Sequence, residues 1–234
     1  MPPMLGAFSH RRTFVARLAA GLAAAGTAIV AGSAPAFAEP SPKDFRAARH
    51  PQDDWMDGLP GKHRLFLDAI SPQGAAEAIS FASNFALANK NGYGLEAADL
   101  AILIGYRHFA TPFAFNDSVW AKYGTFWGGV INFKDPATGA APQRNAWNTK
   151  GLPGMQPNRG VTVEEAAARG YQFAVCDLAT RVFSDFTAKG VGGKADEIYA
   201  ELRASALPNT HFVPAGIVAV GRAQERGYAF SYVG

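Results

Sequence analysis

Asp99 to Tyr106 reads DLAILIGY, an almost unbroken apolar run bounded by polar residues. A strand with one wet face alternates apolar and polar side chains. A run without alternation has to be covered on both faces, as in the interior of a parallel sheet. The rest of the chain supplies units of the same kind. His63 to Ala69 (HRLFLDA) reads as a first strand with Leu65 and Leu67 on one face, and Ser71-Pro72-Gln73-Gly74 makes the turn. Ala75 to Asn89 carries Ala78, Phe81, Ala82, Phe85 and Ala86 at helical spacing, and Asn91-Gly92 supplies a glycine for a left-handed cap.

Farther on, Ala114 to Tyr123 predicts a short helix, with Asn116 and Asp117 as caps and Trp120 and Tyr123 turned to the core or an interface. Thr162 and Glu165 form a capping box for a helix over Val163 to Arg169. Tyr171 to Cys176, His211 to Pro214 and Tyr228 to Tyr232 read as strands. Leu178 to Ala188, Ala195 to Ser205 and Ala215 to Arg226 read as helices. This alternation predicts one α/β domain: a single open, mostly parallel sheet with helices on both faces and right-handed crossovers.

Residues 1–38 read as an address. They hold Arg11, Arg12 and Arg17, no acid, an apolar run from Leu18 to Ala31, and Ala36-Phe37-Ala38 as a cleavage pattern. Ser9-His10-Arg11-Arg12-Thr13-Phe14-Val15 resembles the twin-arginine export motif. That resemblance implies a folded, exported protein, periplasmic or secreted, with no stable membrane span after cleavage. Three of the 22 basic residues and none of the 19 acidic ones lie before residue 39, so the remainder is formally neutral. A neutral chain lacks the basic surface that nucleic-acid binding needs. A single cysteine excludes an intrachain disulfide framework and a zinc site built from several thiolates.

Residues 39–61 are rich in Pro, Asp and Arg and read as an amino-terminal arm. From Gly124 to Gly160, glycine, proline, asparagine and threonine dominate, and the segment reads as a long loop insertion, either a flap or an interface arm. It also contains Trp127 and Trp147, which a plain linker would not need.

In an open α/β sheet, ligands collect beyond the carboxyl ends of the strands. Arg107, His108 and Thr111 follow the second strand, and Cys176 ends the third directly before a helix. A thiol at a helix amino terminus feels the positive end of the macrodipole, which favours thiolate, whereas Asp177 beside it disfavours the anion. Arg181 or Arg107 could offset Asp177. The competing reading of Cys176 is a buried core thiol. A copper site from Cys176, His108, His211 and Met155 is conceivable, but the spacing does not demand one. No cofactor or metal motif stands out.

The stretch from Ala167 to Gly234 resembles the DsrE/DsrF-like family. The resemblance is carried by Arg169-Gly170-Tyr171-Gln172-Phe173-Ala174-Val175-Cys176, by Val213-Pro214-Ala215-Gly216-Ile217-Val218-Ala219-Val220, and by Arg222-Ala223-Gln224-Glu225-Arg226-Gly227-Tyr228-Ala229. It implies a flavodoxin-like fold, a homo-oligomer (trimer or hexamer), and in some members a persulfide on a cysteine at the position of Cys176. The function it implies is a sulfur carrier or sulfurtransferase using Cys176, with a sulfur donor or acceptor protein as partner; the Arg107-His108 segment fits the family less well, and its place after the second strand is what suggests Arg107 and His108 as groups that stabilise the anion or relay a proton. The alternative is a non-catalytic homo-oligomer that binds a small ligand or metal, with Cys176 structural.

Overall fold

The computed structural model describes residues 46–150 and 157–234, and Ala47–Gly234 is one compact unit. The twin-arginine segment and Met155 lie outside the described residues. Five strands form one all-parallel sheet: β1 (His63–Ala69), β2 (Leu100–Tyr106), β3 (Gln172–Cys176), β4 (Thr210–Val213) and β5 (Ala229–Val233). Their spatial order is β4-β3-β2-β1-β5. From Leu100 onward the DLAILIGY run is interior: every residue of β2 is buried, with β1 along its whole length and β3 along Leu103–Tyr106.

Among the described residues six α-helices connect the strands, singly or in pairs: α1 (Pro72–Tyr93), α2 (Asp117–Val130), α3 (Val163–Ala168), α4 (Asp177–Val191), α5 (Ala195–Ala204) and α6 (Gly216–Gln224). The first five contribute to the larger apolar cluster on one face of the sheet, with Leu67, Ile104 and Phe173. The other face is thinner. There Ala219, Val220 and Ala223 of α6 pack with Phe66, Leu103, Ala174 and Val213. This is the expected open α/β architecture with helices on both faces.

Most boundaries shift by one to three residues, and two helices depart in a way that has a physical reason. The first helix runs past Asn91-Gly92 and stops at Tyr93, and the left-handed cap is Gly94 (φ 67°). Tertiary burial of the amino-terminal half of α1 anchors the helix, and the chain exits at the next glycine that can turn left-handed. The predicted Ala114–Tyr123 helix lies instead at Asp117–Val130, so the first seven residues of the supposed loop are helical.

Trp127, placed in the loop by sequence, is fully buried in that helix. The chain beyond it folds back onto the body. Asn145 donates to the carbonyls of Phe113 and Phe115, and the Trp147 indole donates to the Pro72 carbonyl at 2.9 Å. The described part of this segment therefore belongs to the core of its own chain.

The described part of the amino-terminal arm is also built in. Pro51–Met56 forms a 3-10 turn that closes the thin face with a fully buried Met56. Arg64 donates to the carbonyls of Met56 and Leu59, and the buried Arg226 guanidinium pairs with Asp57 at 3.0 Å. Trp55 stacks on His211 with ring centroids 3.8 Å apart. Burial under that ring lowers the His211 pKa from its ordinary value, which favours the neutral imidazole.

Candidate functional site

The chain passes from β1, β2 and β3 to helices on the thick face, but from β4 to α6 on the thin face. The connections therefore diverge between the carboxyl ends of β3 and β4, and a crevice at such a divergence is the usual ligand position in open α/β sheets. An open cleft of about 320 Å³ lies there, lined by Arg107, His108, Cys176 and Gly216 among others. The sequence-predicted trio of Cys176, Arg107 and His108 thus meets in one place. Thr111 does not join it: its side chain is fully buried, and its hydroxyl has no hydrogen-bond partner among the described residues.

Cys176 ends β3 and caps α4. Its Sγ accepts a hydrogen bond from the Ala179 N–H at 3.3 Å, and its carbonyl accepts one from the Thr180 hydroxyl. The residue is only 6% exposed, and the cleft is its opening. A second helix amino terminus faces the same space. α6 begins at Gly216 with no side-chain cap, and among the described residues the N–H groups of Gly216 and Ile217 find no backbone acceptor. Two helix origins at one cleft make it a favourable place for negative charge.

Asp177 does not oppose this. Its carboxylate is turned to α5, where it accepts from the Tyr199 hydroxyl at 2.5 Å and from Arg203 at 2.6 Å, and it sits 3.5 Å from Arg181. Its charge is compensated there.

Arg107 is held by a residue the sequence reading passed over. Asp68, 1% exposed, accepts from Nε and from an Nη of Arg107, each at 2.8 Å. The Asp68 hydrogen bond raises the Arg107 pKa above its ordinary value, with a smaller contribution from Cys176. The guanidinium is thus held by Asp68 in the wall of the cleft that Cys176 also lines. Strand register explains the meeting. Tyr232, Asp68, Gly105, Ala174 and His211 lie in one row across the sheet, and Arg107 continues the β2 side of that row past its end. The signal was present as a lone carboxylate inside the apolar strand HRLFLDA.

His108 is exposed, with its backbone in the left-handed region (φ 53°) and its ring stacked 4.1 Å from that of Phe109. A non-glycine residue in that region carries strain of about 1–3 kcal/mol, and such strain clusters at functional sites. Here it turns the imidazole to the cleft mouth.

Gly216 is the other residue not foreseen. A Cβ there would stand 2.5 Å from Cβ of Arg107 and 2.9 Å from its Cδ. Absence of a side chain lets the α6 origin press against the Arg107 stem. Gly216→Ala is expected to cost about 1–3 kcal/mol, the usual price of overpacking, as read by urea unfolding. An unchanged midpoint would show that Arg107 is free to move aside.

The remaining walls are apolar. Phe109 and Phe183 lie within, and Leu178, Val182, Phe186 and Ile217 stand exposed around the mouth. Among the described residues, no group of three or more His, Cys, Asp or Glu side chains is placed to hold a metal ion. His211 is occupied by Trp55 and by Gln172 at 3.0 Å. No described helix is long and apolar enough to cross a membrane. Comparison with known proteins returns no matching family model, no matching curated protein and no matching solved structure.

Proposed function

We propose that this chain is an exported sulfur carrier or sulfurtransferase of the DsrE/DsrF kind, with Cys176 as the residue that holds the sulfur. The observation that supports the reading is the position of Cys176 Sγ. It opens to a cleft at the divergence of β3 and β4, accepts an N–H from α4, and has the origin of α6 and the Arg107 cation beside it.

In the transfer step, the Cys176 thiolate attacks the outer sulfur of a hydropersulfide R–S–SH. A Cys–S bond forms to that sulfur, the donor S–S bond breaks, and its electron pair leaves on R–S⁻. Cys176 becomes Cys–S–SH with no net change of oxidation state. A second thiolate then takes the same sulfur in the reverse sense. The N–H groups and Arg107 stabilise the anions at each stage. His108, at the mouth, carries protons to and from the leaving sulfur.

The exposed collar of Leu178, Val182, Phe186 and Ile217 supports a protein surface over the cleft. In this reading the surface is a sulfur donor or acceptor protein, or a neighbouring subunit in a trimer or hexamer.

Intact-mass measurement after incubation with inorganic polysulfide tests the proposal. Wild type should gain one sulfur atom that dithiothreitol removes, and Cys176→Ser should gain none. An unmodified wild type, or equal labelling of the variant, overturns it. The slight exposure of Cys176 favours a second reading, a non-catalytic binding protein with a structural thiol. In that case a maleimide would modify Cys176 only after denaturation.

A further inference from the structure

The amino-terminal end of the sheet, opposite Cys176, holds a second cleft. β2 begins at Leu100, yet β3 joins it only from Leu103, which pairs with Gln172. Leu100, Ala101 and Ile102 therefore have β1 on one side and no strand on the other. The space where β3 would continue is a cleft of about 550 Å³. Such a volume falls within the range of small-molecule sites, roughly 300 to 1,000 Å³. Its walls are Ala86 and Leu87 from the second half of α1, Leu95 from the following loop, and Leu100, Ile102 and Tyr171.

The charges at its mouth do not cancel. Lys90 and Glu96 are paired with each other at 3.1 Å. Glu165 on α3 feels the Arg169 charge only weakly, and its carboxylate is engaged by Lys150 and by the Thr162 N–H. Among the described residues Arg169 makes one side-chain hydrogen bond, to the Ser83 hydroxyl at 3.3 Å, and no carboxylate lies within 4 Å of it. A guanidinium has five N–H donors in a fork that matches a carboxylate. The mouth thus offers one bidentate-capable cation with no carboxylate in direct contact, above an apolar trough.

We propose that this cleft binds a small amphipathic carboxylate, a medium-chain alkyl acid whose head pairs with Arg169 and whose chain lies against Leu87, Leu95, Leu100 and Ile102. The site is independent of the sulfur reading, because Cys176 and its cleft share no lining residue with it.

Isothermal titration of the chain with hexanoate, octanoate and decanoate tests the proposal, with octylamine and 1-octanol as charge controls. Affinity should rise about fourfold for each added methylene and level off once the trough is filled. Octylamine should bind at least tenfold more weakly than octanoate. Arg169→Gln should weaken octanoate about tenfold and leave octanol unchanged. Leu87→Glu, at an exposed wall position, should abolish octanoate binding without altering the unfolding midpoint, and Cys176→Ser should bind octanoate like wild type. Absence of binding overturns the proposal. So do equal affinities for octanoate and octylamine, or octanoate binding indifferent to both Arg169→Gln and Leu87→Glu, which would mark non-specific association.

Discussion

Arg107→Ala is expected to cost roughly 3–5 kcal/mol of stability, as for other broken buried ion pairs. Asp68 is 1% exposed, and both of its oxygens are satisfied by Arg107 alone among the described residues. Removal of the guanidinium leaves a carboxylate in the sheet with neither water nor a donor. The cost is that of an unpaired buried charge, not the net worth of the pair. The double variant Asp68→Leu with Arg107→Met should therefore recover most of the loss, because it removes the charge as well. Urea unfolding of the two single variants and the double variant measures this as a cycle. A loss below about 1 kcal/mol in Arg107→Ala would show that Asp68 finds another partner.

Trp127→Ala is expected to be comparably damaging, about 3–5 kcal/mol. Trp127 is fully buried, stands edge-on to Trp120 with centroids 5.3 Å apart, and donates its indole N–H to the Thr187 hydroxyl at 2.9 Å. Its removal opens a cavity between α2 and α4 that neighbouring rings cannot fill without leaving their rotamers. Trp127→Phe keeps most of the apolar volume and should lose only about 1–2 kcal/mol. Equal losses in the two variants would assign the effect to the hydrogen bond instead of to packing.

Trp127 also shows where sequence reading stops. Local pattern located β1 at its observed bounds and β2 within one residue, since such strands are marked by apolar runs and turn residues alone. It ended the second helix too early because Gly124, Gly128 and Gly129 look like breakers. In the structure, Gly124 and Gly128 are contact points. A Cβ at Gly128 would stand 2.7 Å from Cδ of Pro142, and one at Gly124 would collide with the Pro142 carbonyl. The returning loop seats a proline where a side chain would otherwise be. That requirement arises between segments distant in sequence, so no local window contains it.

The candidate site divides in the same way. Cys176 was legible because a thiol between a strand and a helix has a local meaning. The Arg107 and His108 segment was legible because it breaks a buried strand. Asp68 and Gly216 were not. Each acquires its role from Arg107, and only the parallel register and the α6 crossover bring them together.

The thin face of the sheet carries a consequence for truncation. Met56 plugs that face, and Asp57 neutralises the otherwise buried Arg226. A leader released by a protease cut upstream of Pro51 would leave the lid of this half intact. A cut beyond Asp57 would strip an apolar floor and orphan a cation at once, so the fold itself sets a limit on how much of its front end can be discarded.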